Sequence, residues 1–251
     1  MIEAPKHLVC WDLDNTLGHF DPFSNEMQGR TRWKDDPDAY LTYGIEDVLA
    51  EFSEANGYIA VVTTSARHDY AEYALERAGI RRHFANVYAR DVMAPDYEAT
   101  HQYVGKQYED VAWEQIPYDE YPDRMVVIGD MYEDNPIDMR DLVHIYSPGY
   151  VFDAIVIREA LVALLEAGEG SFKKGFDALE RSGTKEIMRS TTPPTIYSHV
   201  EVGSGVKLTL DRIKGPGPLS EEEGTIPVIY IENPHAFKRE PTLIPSPIVS
   251  T

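Results

Sequence analysis

The sequence predicts an α/β protein built on an open, doubly wound parallel sheet of about five strands. Two observations predict it. Five short runs before residue 150, "HLVCW", "YIAVVT", "ANVYA", "RMVVIG" and "DLVHIY", are apolar on consecutive positions, as strands covered on both faces are. The segments between the earlier runs carry the helical period instead, and alternating β and α elements place a parallel sheet between layers of helices. At 251 residues, with 43% hydrophobic residues, 17 Gly and 17 Pro, the chain is of ordinary globular composition and can bury one good core.

Taken in order, the first crossover is "GIEDVLAEFSEANG", with Ile45, Val48, Leu49 and Phe52 on one helical face and a stop at Gly57. The second is "SARHDYAEYALERAGI", whose predicted face is Tyr70, Tyr73, Ala74 and Arg77; basic residues and Gly79 suit its C-terminus. From 153 to 183 two more helices are predicted. One opens at Asp153 and turns Ile157, Leu161 and Leu164 inward, and the other carries Phe172, Phe176 and Leu179. After "TTPP" the texture changes. "IYSHVEV" and "VKLTL" alternate around Gly203-Ser204-Gly205 as a hairpin, "IPVIYIE" adds a candidate third strand, and nine prolines from Pro193 to Pro247 argue against a regular sheet throughout. The expectation is a core over residues 1–192 and an irregular, β-containing extension over 193–251.

The balance of 43 acidic against 23 basic residues, a formal charge of −20, repels nucleic acid and anionic membrane surfaces, so neither is an expected partner. Simple solubility accounts for the acidity, although the excess of acid with little Lys also suits a high-salt cytoplasm. The single cysteine, Cys10, lies in the first apolar run, where it packs the core and can form no intramolecular disulfide. With that cysteine use, a start "MIEAPKHLVC" lacking a leader pattern and no run approaching the length of a membrane span, a cytoplasmic location is expected.

Ligands of such sheets bind beyond the carboxyl ends of the strands. There the first run ends in Asp12 and Asp14, the second in Thr63 and Thr64, and the fourth in Gly129 and Asp130, with Asp134 four residues on. Carboxylates crowded together repel, and a bound cation relieves the cost. Asp12, Asp130 and Asp134 are hard oxygen ligands that suit Mg²⁺, an ion often bound beside phosphate. A carboxylate beside it can attack phosphorus, dividing one hard transfer into two easier ones. Strand alternation would put Asp12 and Asp14 on the same side, leaving Asp14 to protonate the leaving oxygen and later deprotonate water. Thr63 adds a hydroxyl for the phosphoryl oxygens. Lys106 in "YVGKQY" adds positive charge, and no other lysine occurs between Lys34 and Lys173.

In order and spacing these elements resemble the haloacid dehalogenase-like hydrolase superfamily, whose phosphatases carry a DxDxT signature, a Thr or Ser ending the second strand, a Lys and an acidic GDxxxD element. Here they are "DLDNT" at 12–16, Thr63 in "VVTTS", Lys106 and "GDMYED" at 129–134; "LERAGIRRHF" also resembles the family's linker into its third strand. The resemblance spans roughly residues 7–148 and implies a Rossmann-like core with a small cap inserted at 18–44. It implies Asp12 as nucleophile and Mg²⁺ ligand, and Asp14 as acid/base that lends its backbone carbonyl to the metal. Thr63 and Lys106 would hold phosphate, Asp130 would complete the metal site with Asp134 as ligand or support, and Thr16 would orient the loop. The family's dehalogenases lack the second carboxylate, so Asp14 points to a phosphatase or phosphotransferase. Thr64 stands where the family often has a small or amide residue, and Asn135-Pro136 where an aliphatic residue is usual.

On the substrate side the candidates are Thr16, Thr64, Arg30 and Arg32. The arginines belong to "GRTRWK", with Lys34, a local basic patch that is either a substrate contact or a solvated loop. The 27 residues between Leu17 and Ile45 are too few and too polar for an independent core, so the expected site is partly open unless residues 193–251 fold back as a lid. The expected function is a Mg²⁺-dependent phosphomonoester hydrolase acting through an aspartyl-phosphate. Its substrate would be a phosphorylated small molecule or a phosphoprotein. The alternatives are a regulatory phosphoprotein phosphatase and a non-catalytic interaction protein on the same fold.

Overall fold

The structure, a computed structural model, describes residues 6–29, 40–93, 111, 115–116, 120–129, 141–146, 153–188, 195–214 and 225–232. The five expected runs all form strands: β1 His7–Trp11, β2 Tyr58–Thr63, β3 Asn86–Tyr88, β4 Met125–Gly129 and β5 Val143–Tyr146. They pair in parallel, in the order β3-β2-β1-β4-β5. Their side chains alternate between two apolar clusters. Val9, Trp11, Ala60, Val62, Val126 and Ile128 enter the larger, and Leu8, Cys10, Val61, Met125 and Val127 the smaller. Burial of both faces is why these runs read as continuously apolar.

The helices of the larger cluster are α1 Asp21–Met27, α2 Ile45–Glu51, α3 His68–Arg77, α4 Ile155–Ala167 and α5 Phe172–Ser182. The expected inward faces of α2, α4 and α5 are buried. Asp153 accepts a hydrogen bond from the Ile155 N–H at 3.0 Å, and Ser171 caps α5 by accepting from the Lys174 N–H at 3.1 Å. On α3 the face is rotated from the expected one: Ala71, Ala74 and Leu75 are buried, while Tyr70 and Tyr73 flank the stripe. Small residues let α3 approach closely, and the bulky tyrosines are left at the margin. The described part of the cap insertion has no core of its own. Phe20 and Phe23 stack with centroids 5.8 Å apart inside the main cluster, and Tyr40 packs edge-on against Phe23 at 4.9 Å.

The expected β-containing extension is present, and among the described residues its strands β7 Thr195–Val202, β8 Val206–Lys214 and β9 Thr225–Glu232, with β6 Thr184–Met188 just before it, continue the same sheet to nine strands in the order β3-β2-β1-β4-β5-β9-β8-β7-β6. The expected hairpin is β7–β8, paired from Ser198↔Leu210 to Val202↔Val206. The candidate third strand, β9, lies parallel to β5, with His144↔Val228 and Tyr146↔Tyr230 in register. The extension is therefore regular where described and continuous with the core. Prolines do not prevent this, because Pro227, the one inside a described strand, precedes the start of the β5 ladder at Val228. Val206, Leu208, Leu210, Ile229 and Ile231 complete the larger cluster. Arg212 ties β8 to α5, donating to Asp177 at 2.6 Å and to Glu180 at 3.0 Å. Among the described residues no helix is long and apolar enough to cross a membrane.

Asp211, on β8, is buried, and that burial raises its carboxyl pKa above the ordinary value; the Glu180 charge raises it further, against the lowering effect of the Arg212 N–H bond. A raised carboxyl pKa destabilises the fold only where the group is ionised, so the penalty is absent in acid and grows as pH rises through the carboxylate range. Asp211→Asn, which keeps an oxygen for the Arg212 N–H, is expected to raise Tm at neutral pH. The gain should shrink in thermal melts at acid pH.

Candidate active site

The polar ends of β1, β2 and β4 stand side by side because those three strands are adjacent. Asp12 follows β1 directly, and its N–H still donates to the Ile128 carbonyl of β4 at 2.8 Å. That bond seats it at the sheet edge, 8% exposed. Gly129 ends β4 next to it. A Cβ at Gly129 would lie 3.4 Å from the Asp12 Cβ and 4.0 Å from Oδ2, so the glycine leaves room along the carboxylate. Position 130 follows Gly129 in the chain, but Asp130 and Asp134 lie outside the described residues, as do Lys106, Arg30 and Arg32.

Strand pairing of β1 ends at Trp11, so alternation does not orient Asp14 as expected. A loop does. Leu17 N–H donates to the Leu13 carbonyl at 3.1 Å, Asn15 N–H donates to the Gly18 carbonyl at 2.8 Å, and Asn15 takes a φ of 61°. Asn tolerates that left-handed conformation better than most residues. Leu13, Leu17 and Phe20 anchor the loop in the larger cluster, and Asp14 is left half-buried at the surface. Gly18 is required where the loop passes the insertion, since a Cβ there would sit 2.3 Å from the Tyr40 carbonyl oxygen.

Thr63 ends β2 and is fully buried. Thr64 donates its N–H to the Tyr88 carbonyl at 2.9 Å and accepts from the Ala66 N–H at 3.1 Å on its hydroxyl, a local turn that leads the chain toward α3. Thr16 is also fully buried, and its carbonyl accepts from the Thr42 hydroxyl at 2.9 Å, tying the loop to the insertion. Its own Oγ1 is buried without a hydrogen-bond partner, so the Thr16 side chain lies on the inner side of the 13–18 loop rather than at the open edge. One residue that the sequence reading passed over joins the set: Tyr70, in the first turn of α3, donates its phenol to Asp14 Oδ1 at 3.2 Å. The available signal was its distance in sequence, seven residues after Thr63 in a helix that starts at the sheet edge.

The donor chemistry fits Mg²⁺. Asp12 is a nearly buried carboxylate, Asp14 is two residues on, and both offer hard oxygen. Among the described residues no group of three His, Cys, Asp or Glu side chains is close enough to hold a metal; the remaining expected ligands, Asp130 and Asp134, belong to the undescribed segment.

No family model matches the sequence, and no curated protein does. Solved structures do. A haloacid dehalogenase-like family hydrolase from Streptococcus pneumoniae is 14% identical, with 58% of this chain and 86% of that one covered and a TM-score of 0.37. One from Xanthomonas campestris is 16% identical over 57% of this chain and 83% of that one, with a TM-score of 0.38. A HAD-hydrolase from Bacillus subtilis, solved bound to magnesium, is 13% identical over 57% and 88%, with a TM-score of 0.38. These three solved structures are described as hydrolases of the haloacid dehalogenase-like group.

Proposed function

We propose that this protein is a Mg²⁺-dependent phosphomonoester hydrolase that works through an aspartyl-phosphate on Asp12. The observation that carries the reading is the seating of Asp12 at the carboxyl end of β1, between β2 ending in Thr63 and β4 ending in Gly129, with Asp14 held on the loop that follows. In the first step a carboxylate oxygen of Asp12 bonds to phosphorus while the ester P–O bond breaks, and Asp14 gives its proton to the departing oxygen. In the second, water attacks phosphorus, Asp14 takes the water's proton, and the bond from Asp12 to phosphorus breaks. The Lys106 ammonium would hold the phosphoryl oxygens, and Thr63 would reach them only where substrate enters the edge at the end of β2. Mg²⁺, held by Asp12, the Asp14 carbonyl, Asp130 and Asp134, would supply charge neutralisation for the incoming phosphate. Near-complete burial of Asp12 takes its carboxylate out of bulk water, where a bound cation would favour the ionised form.

The substrate class we infer is a phosphate ester of a small molecule or of a protein side chain. Among the described residues no strand of the extension folds over the sheet edge; β7, β8 and β9 are used in widening the sheet. A panel of phosphometabolites and phosphopeptides tests the reading. Phosphate release is expected to require Mg²⁺, to stop on chelation and to return when Mg²⁺ is restored. Full turnover after exhaustive chelation would overturn the metal role, and no turnover on any ester would overturn the hydrolase.

A further inference from the structure

We infer that Tyr70 is the positioning residue of this site: its phenol holds the Asp14 carboxyl in the orientation from which the proton is exchanged with substrate and with water. The inference rests on Asp14 as the acid/base, and goes beyond it by naming the group that aims it. The need for such a group follows from the fold. Asp14 stands three residues beyond the end of β1, in a turn whose next residue has a φ of 61°. Proton transfer demands a carboxyl within hydrogen-bond reach of the departing oxygen and aligned with it, so a side chain that bonds to that carboxyl bears on its aim.

Tyr70 meets that need from a separate and better-fixed element. Its hydroxyl donates to Asp14 Oδ1 at 3.2 Å across 56 residues of chain. The ring packs against the larger core cluster, so the hydroxyl is carried on a supported lever. The helix beneath it is held by buried Ala71, Ala74 and Leu75 and by an ion pair from Arg77 to Glu26 of α1 at 3.4 Å. The same α1 belongs to the insertion that packs behind the catalytic loop, so loop, insertion and α3 form one braced unit around Asp14. A phenol donates a hydrogen bond without adding charge to a site that already holds clustered carboxylates. Two side-chain torsions make it cheaper to order than a lysine or arginine in the same place.

Tyr70→Phe keeps the ring packing and removes only the hydroxyl. With an alkyl phosphate, whose departing oxygen needs the proton, kcat is expected to fall about 10-fold with KM unchanged. With an aryl phosphate, which departs readily, the pre-steady-state burst of phenol is expected to stay within about 2-fold of wild type, because proton donation matters little there. Equal losses for the two leaving groups, an effect on KM alone, or no effect would each overturn the inference. Crystal structures of both proteins give a readout that does not depend on turnover. The Asp14 carboxyl is expected to take a different orientation in Tyr70→Phe from that in the wild type, and an unchanged carboxyl in the variant overturns the inference. If the wild type hydrolyses no phosphate ester, the hydrolase reading fails, and the carboxyl orientations still show whether Tyr70 holds Asp14.

Discussion

Asp12→Asn is expected to abolish turnover, a loss of roughly 10⁴-fold or more, because the substitution removes the atom that bonds to phosphorus rather than a group that assists it. The amide is nearly isosteric, keeps the backbone bond to Ile128 and removes one of two neighbouring negative charges, so the fold should survive with no loss of Tm. Asp14→Asn provides the contrast. It leaves the nucleophile in place and removes proton transfer, worth about 10²–10⁴-fold. Its first step should suffer less with an aryl phosphate than with an alkyl one. Mass spectrometry of acid-quenched enzyme separates the two variants, since a phosphorylated protein is expected from wild type and from Asp14→Asn but never from Asp12→Asn. A phosphorylated Asp12→Asn protein would move the nucleophile elsewhere.

Deletion of residues 193–251 is expected to unfold the protein rather than to uncover a site. It removes β7, β8 and β9, and with them Val206, Leu208, Leu210, Ile229 and Ile231, all 6% exposed or less in the larger cluster. At about 1.5–3 kcal/mol per fully buried aliphatic side chain, the loss comes to about 8–15 kcal/mol as an upper estimate. That is comparable to the whole stability of an ordinary domain, about 5–15 kcal/mol. The cut also removes Arg212 from Asp177, Glu180 and the Phe176 ring, over which its guanidinium lies at 5.0 Å, and it bares the β5 edge. Insoluble expression, or a soluble product without a cooperative melt, is the expected result. A truncated protein that melts like the full chain would mean that the three strands are dispensable. The question of a lid is better put by point substitutions, because the described part of the extension is structural.

The strands of the core and the residues at their ends were readable from the sequence because both are local properties. Burial of both faces makes β1, β2 and β4 apolar over consecutive positions, and the change to Asp12, Thr63 and Gly129 marks where each strand ends. Helical period located α2, α4 and α5 for the same reason, although on α3 it favoured the tyrosines over the small residues that allow close packing. Pairing partners are a different kind of information. The apolar pattern of "IPVIYIE" says that β9 is buried, but only the open edge of β5 and the unfinished apolar cluster beside it place that strand parallel to one more than 80 positions earlier. β6, exposed at every residue, carries no burial pattern, and its strand conformation comes from pairing with β7. The contact between Tyr70 and Asp14 joins two elements whose separation is set by how α3 rests on α1 and the sheet. Sequence alone therefore placed Asp12, Thr63 and Gly129 at the ends of three strands, since composition and period report each residue's own surroundings. Tertiary structure decided that the C-terminal strands widen the sheet and that a tyrosine from the second crossover holds Asp14, because both depend on contacts between distant segments.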